Sequence, residues 1–314
     1  VVYSLNQMSS ITQSTKCRLK SSELPSTPRF RRFCLVMMHG IDQGAKMVSN
    51  AIKSLSLVKS RMGLHFRLFA TDPFGNKLII KRLLVRVVGW LTWGSYTRKN
   101  TIQISGTERL FKLSETNVLF LANHQTYFTD AIALLHVFCA VKNGFKDTMD
   151  SRSYLLRPKI NTYFIAAEET MNQGIVTRLL SYVGSVSIQR SWRDGDQEVN
   201  RKVRPEDFHN IGLALNDGWV INFPQGTTKP FAKCRRGVVA IIKKYHPVVI
   251  PIVLTGFNQA FDKKSLRTKG GAQLSIQFKD PLHFDKSDES DFVMEKIMDA
   301  IEQSEKFAAR GNGN

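Results

Sequence analysis

The chain has 314 residues, enough to bury a substantial core as one large domain or a domain with an appendage. Its 42% hydrophobic content is that of a globular protein, but 45 Lys and Arg against 26 Asp and Glu give a formal charge of +19. That charge suits nucleic acid, anionic lipid or phosphorylated substrates and does not choose among them.

Cys17, Cys34, Cys139 and Cys234 show no paired or metal-ligand spacing, which argues against a disulfide framework or a zinc module and for reduced thiols in a cytosolic compartment. No uncharged apolar run approaches the ~18 residues of a spanning helix. No h-region with a small-residue cleavage site is present either.

Residues 1–36 are polar, Ser- and Thr-rich and basic, and read as a disordered extension. The chain opens on Val1, and Met37 or Met38 is a candidate natural start. Residues 37–105 read as an N-terminal helical, membrane-interfacial segment. Its strongest part is LIIKRLLVRVVGWLTW, from Leu78 to Trp93. On a helix Lys81, Arg82 and Arg86 fall within an arc of roughly 140°, with Leu, Ile, Val and Trp over the rest. Trp90, Trp93, Tyr96, Arg98 and Lys99 gather at its end, where amphipathic aromatics and cations suit the headgroup level.

Residues 106–314 alternate strand-like and helix-like segments. The predicted strands are 117–122, 162–167, 184–189, 218–223, 248–254 and 273–278. The predicted helices are 128–142, 174–183, 205–216, 235–245 and 288–307. Pro205 suits a first helical turn and Gly218 suits the end of the same helix. The alternation predicts an α/β fold, a mixed and largely parallel sheet flanked by helices.

Four stretches carry chemistry. The first is LFLANHQTYFTDA, Leu119–Ala131: a buried strand, a turn and the start of an apolar helix. It places His124 at a strand's C-terminal edge, where open α/β sheets hold their ligand clefts. A neutral histidine there takes a proton from a hydroxyl, and a carboxylate fixes its tautomer; Asp130 is the nearest. Six residues apart, the two lie roughly 120° from a whole number of helical turns, so their contact requires an irregular helix start. If they diverge, Glu168 and Glu169 are the next carboxylates. The second stretch, GSVSIQR, ends a strand in Arg190, a fork suited to phosphate. The third, FPQGTTK, Phe223–Lys229, follows the buried strand WVIN with a tight Pro-Gly turn, whose amides and hydroxyls suit an anion. The fourth, VVIPIVL, Val248–Leu254, is an apolar strand that Pro251 is expected to push toward an edge or a bulge.

Together the four stretches resemble, in order and within residues 123–251, the blocks of the glycerolipid acyltransferases, in particular the bacterial 1-acylglycerol-3-phosphate type. NHQTYFTD is similar to the Asn-His-x4-Asp signature with one residue added. Gly184 followed by Arg190 is similar to the second block. Phe223, Pro224, Gly226 and Thr227 match Phe-Pro-Glu-Gly-Thr-Arg, with Gln225 for the glutamate and Thr228 for the arginine. The resemblance implies a membrane-associated O-acyltransferase with His124 as general base and Asp130 orienting it. Asn123, Gly184, Arg190, Pro224, Gln225, Gly226, Thr227 and Pro251 would bind substrate, and Lys229, Lys233, Arg235 or Arg236 would supply the positive charge that Thr228 removes. The donor would be acyl-CoA or acyl carrier protein, the acceptor a lysophospholipid, and the seat an anionic membrane surface on the cytoplasmic face, peripheral or monotopic. It implies no cofactor, metal or nucleic acid. Thr228 leaves open another acceptor, such as a lyso-aminolipid. A non-catalytic basic lipid- or nucleic-acid-binding protein is the alternative from another class; it needs only a continuous basic face, whereas catalysis needs His124 in a cleft beside FPQGT. The chain has no Gly-x-Ser-x-Gly elbow, Walker loop or dinucleotide fingerprint.

Overall fold

The computed structural model describes residues 70–168, 175–188, 193–194, 197–198, 204–263 and 265–311. The extension 1–36, residues 37–69, Cys17, Cys34, Glu169 and Arg190 lie outside them.

Helix α1, Leu78–Thr97, leads into strand β1, Thr101–Ser105, and β2, Val118–Ala122. Then follow α2, Thr129–Lys142, β3, Thr162–Ala167, α3, Ile175–Gly184, and β4, Ser185–Ile188. Two short strands, β5, Arg193–Asp194, and β6, Gln197–Glu198, pair with each other. The chain continues through α4, Pro205–Asp217, β7, Trp219–Asn222, α5, Arg236–Tyr245, and β8, Val248–Thr255. It closes with α6, Phe257–Ala260, β9, Gln273–Phe278, α7, Ser290–Ala300, and α8, Glu305–Gly311.

Seven strands form one sheet in the order β1-β9-β8-β2-β7-β3-β4, parallel except where β9 meets β8. β2 shows why the sheet is central: all five of its residues are buried. Val118, Phe120 and Ala122 join a core with α1 and α2 on one face, while Leu119 and Leu121 join a core with α4, α5 and α7 on the other. Strand residues alternate faces, so only a strand covered on both sides is apolar at every position.

The structure departs from the sequence reading at several points. The boundary at 105 falls inside the sheet, because β1 pairs with β9 along its whole length. TIQIS, partly exposed and half polar, gives a weak strand signal in sequence. Pro251 lies in the interior of the sheet, opposite Leu121 of β2. Its missing N–H is tolerated because the neighbour on the other side bulges there. The ladder Ile252↔Phe278 gives way to the bridge Val249↔Leu282, so three steps along β8 meet four along the neighbour. The Pro251 carbonyl accepts from Lys279 N–H at 2.9 Å beside the bulge. The continuous helix expected over 288–307 breaks into α7 and α8, with Glu302 left-handed at φ 58° between them.

α1 also differs. It buries Val85, Gly89, Trp93 and Tyr96, and with them Lys81, which is 1% exposed. Lys81 therefore leaves the predicted basic face. Its ammonium sits 3.3 Å from the Asp72 carboxylate and 4.0 Å from the centre of the Tyr163 ring. Burial pushes its pKa down, and the Asp72 charge and hydrogen bond oppose that. The opposite side of α1 stays exposed and apolar: Ile79, Ile80, Leu83, Val87, Trp90 and Leu91. Polar pins hold the buried side. Trp93 Nε1 donates to the Met149 carbonyl at 2.8 Å, and the Tyr96 hydroxyl to that of Thr129 at 2.8 Å. His136 of α2 bridges Thr92 Oγ1 and the Tyr154 hydroxyl, each at 2.9 Å, and burial lowers its pKa to about 3, so the ring is a neutral structural link. No helix among the described residues is long and apolar enough to cross a membrane.

Candidate active site

β2 runs between β7 and β8, parallel to both, so the C-terminal ends of the three strands meet at one edge of the sheet. The loops leaving them, 123–128, 223–235 and 256–272, form the site. Asn123 begins the first. Its Nδ2 donates to the Leu254 carbonyl at 2.8 Å and its Oδ1 accepts from Leu254 N–H at 2.7 Å. Side-chain bonds thus extend the β2–β8 pairing past the strand end. Gln125 Oε1 accepts from Phe257 N–H at 2.8 Å, and Tyr127 N–H donates to the Lys263 carbonyl at 2.9 Å.

The residues between His124 and α2 are not helical, and α2 begins only at Thr129. This non-helical stretch absorbs the six-residue separation. His124 Nδ1 lies 2.9 Å from Asp130 Oδ2. The same oxygen accepts from the N–H groups of Gln125 at 2.6 Å and Thr126 at 3.0 Å, and Oδ1 accepts from Thr126 Oγ1 at 2.7 Å. The Asp130 side chain is fully buried, so its hydrogen bonds must come from the protein. Because the carboxylate faces Nδ1, the neutral ring carries its proton there, and Nε2 is left as the acceptor. Phe223, the first residue of the FPQGT turn, stacks on the imidazole with centroids 4.0 Å apart and planes at 22°. Nothing in the sequence marked Phe223 for this role.

The turn after β7 is built from within. Gly226 has φ +63°, and a Cβ there would run into the Arg235 guanidinium. Arg235 N–H donates to the Pro224 carbonyl at 2.9 Å and its Nε to that of Gln225 at 3.2 Å, so Arg235 braces the turn. Gln225 is buried. Its Nε2 donates to the Ala232 carbonyl at 3.0 Å and to Gln303 Oε1 at 3.2 Å, while Gln303 Oε1 also accepts from Phe231 N–H at 3.0 Å. A glutamate here would oppose two acceptors, which accounts for an amide at this place.

A cleft of about 350 Å³ opens beside His124. Asn123, Gln125, Thr228, Asn258, Lys263 and Lys269 are among its walls. The predicted site residues separate accordingly. His124 and Asp130 come together. Asn123 reaches the cleft but spends its amide on β8. Pro224 and Gln225 are buried in the turn, and Thr228, rather than Thr227 or Lys229, lines the cleft. Gly184 is displaced to the other end of the sheet: a Cβ on it would meet the carbonyl of Thr162, the first residue of β3. Its φ of +140° serves the passage from α3 to β4, so its role is in the backbone path. Pro251 is inside the sheet. Glu168 pairs with Arg204 at 3.5 Å. Lys263, Lys269 and Gln303 went unnoticed in the sequence because they come from chain beyond the four stretches. Among the described residues, no three His, Cys, Asp or Glu side chains gather as metal ligands.

The arrangement offers one ring nitrogen able to take a proton, held by a buried carboxylate at the mouth of a cleft that also carries cations. The profile of the acyltransferase family matches residues 101–255. No curated protein matches the chain. Among solved structures, the 1-acyl-sn-glycerophosphate (LPA) acyltransferase PlsC from Thermotoga maritima is similar at 17% identity over 84% of this chain and 92% of that one, with a TM-score of 0.44.

Proposed function

The chain belongs to the acyltransferase family through residues 101–255 and is an acyltransferase, and from that premise we propose that it moves an acyl chain from an acyl thioester to the hydroxyl of a lysophospholipid, 1-acylglycerol-3-phosphate above others. The observation that carries the reading is the His124–Asp130 pair at the cleft. With Nδ1 held at 2.9 Å by Asp130, Nε2 is the base. It takes the acceptor's hydroxyl proton as that oxygen attacks the thioester carbonyl. The new C–O bond forms, the tetrahedral oxyanion collapses, the C–S bond breaks, and the imidazolium returns the proton to the departing thiolate. The oxyanion needs fixed donors. Thr228 lines the cleft and is the candidate to supply one. The donor is acyl-CoA or acyl carrier protein, and the resemblance assigns Arg190 to the acceptor's phosphate, a role that cations lining the cleft would share. A lyso-aminolipid is the other acceptor that Thr228, in place of arginine, would admit.

The exposed apolar side of α1 supports a seat on the cytoplasmic leaflet. Ile79, Ile80, Leu83, Val87, Trp90 and Leu91 form a face that water penalises. Leu156, 71% exposed, lies beside it, its carbonyl accepting from Arg86 Nη2 at 2.7 Å. Arg82 and Arg86 supply charge for anionic lipid.

Two measurements test the reading. Labelled acyl-CoA and acyl carrier protein are offered with a panel of lysolipids, and the expected result is transfer to lysophosphatidate above all others; no transfer to any lysolipid overturns the proposal. Replacing Leu83, Trp90 and Leu91 by Gln is expected to weaken binding to anionic vesicles by about 100-fold or more, since each buried apolar side chain contributes roughly 1.5–3 kcal/mol. Unchanged vesicle co-sedimentation removes α1 from the membrane seat.

A further inference from the structure

The loop between β8 and β9 brings two lysines into the cleft from outside all four stretches. Phe261 and Thr268 form an antiparallel bridge, Asp262 N–H donates to the Arg267 carbonyl at 3.0 Å, and Lys269 N–H to that of Ala260 at 2.7 Å. These bonds close a hairpin-like loop with Lys263 on one limb and Lys269 on the other. Its base is rigid: Phe261 is buried and packs on Tyr96, with ring centroids 5.3 Å apart. The catalytic loop is tied to it directly, because Tyr127 N–H donates to the Lys263 carbonyl. Both lysines line the same cleft as His124, and neither has an ion-pair partner among the described residues. Asp262 lines the cleft as well and accepts from Ser265 Oγ at 3.4 Å, so the loop brings two cations and one carboxylate there. Thr228, an uncharged side chain, lines the same cleft.

We propose that Lys263 and Lys269 bind the phosphate monoester of the acceptor and so select an acceptor with that head group. This rests on the lysophospholipid reading above. Two ammonium groups beside a braced loop base suit a compact dianion, and as point charges on flexible stems they need no particular fork geometry. They supply cations to the same cleft that Thr228 lines. A neutral head group would leave both charges without a partner and a phosphodiester would bring only a single negative charge, which disfavours both. Phosphates are also carried by coenzyme A, so the test must separate acceptor from donor.

The experiment uses the full chain with Lys263→Gln and Lys269→Gln combined, and a soluble short-chain lysophosphatidate. The apparent KM for lysophosphatidate is expected to rise about tenfold per lysine, as for lost charge-assisted hydrogen bonds, with kcat changed less than about threefold. The KM for acyl-CoA and turnover with an uncharged monoacylglycerol should stay at wild-type values. The Lys263→Arg, Lys269→Arg pair should restore the KM. An unchanged KM for lysophosphatidate, an effect on acyl-CoA instead, or an equal loss with both acceptors overturns the inference. Titration of the same lysophosphatidate into the His124→Ala protein, with and without the two glutamines, reads binding without turnover; equal affinities also overturn it. A wild-type protein that transfers to no lysolipid sinks the functional proposal, whereas an active wild type with an unaffected double variant sinks only this one.

Discussion

Replacing His124 by alanine is expected to lower acyl transfer by about 10²–10⁴-fold, the usual contribution of a positioned general base. The fold should survive the change. The ring is 13% exposed, lines the cleft and, among the described residues, makes one hydrogen bond, to Asp130. Its removal forfeits the stack on Phe223, so unfolding should shift by no more than about 1–2 kcal/mol. Steady-state kinetics and a denaturant titration of the same preparation separate the two effects. Turnover above about a tenth of wild type would reject His124 as the base, since no general-base loss is that small.

The second large effect is expected at Asp130, where two substitutions distinguish orientation from charge. The buried carboxylate accepts from the His124 ring, two backbone N–H groups and one hydroxyl. Asp130→Ala leaves the buried donors without acceptors and should cost about 3–5 kcal/mol of stability with nearly complete loss of transfer. Asp130→Asn keeps one oxygen for the Oδ2 side and turns its NH₂ toward Thr126 Oγ1, so its stability loss should be about 1–2 kcal/mol. The asparagine still receives the Nδ1 proton but provides no charge for the imidazolium. We expect kcat to fall by about 10²-fold or more in a folded protein. A wild-type kcat in Asp130→Asn would show that the carboxylate's charge plays no part, and a wild-type kcat in Asp130→Ala would remove it from the mechanism altogether.

β3 was legible because a buried parallel strand is a short, continuous apolar run, and β9 through its alternation of apolar and polar residues; both coincide with the segments predicted for them. His124 and Asp130 were legible because their chemistry and neighbours are local. What stayed hidden depends on partners far along the chain. Lys81 reads as a solvated cation until Asp72 and the Tyr163 ring are placed around it. Gly184 precedes β4 and packs against Thr162 at the start of β3, so its surroundings are those of the sheet edge away from His124. Gln225 carries no sign of its purpose until Gln303, 78 residues later, offers its oxygen. Pro251 reads as disruptive because the bulge that accommodates it belongs to a different strand.

The clamp of Asn123 onto Leu254 spans 131 residues. During synthesis from the N-terminus, His124 and Asp130 emerge long before the strand that anchors their loop. Until β8 pairs with β2, one end of the histidine's loop is untied, and the sheet edge facing β8 lacks its neighbour. Such separations make pairing slow, because the closure entropy is spent before the contact is gained. The helix that follows Asp130 forms from nearby residues and needs no such wait. Competence thus arrives near the end of folding, and a chain released before Leu254 holds the catalytic pair without the strand that seats it.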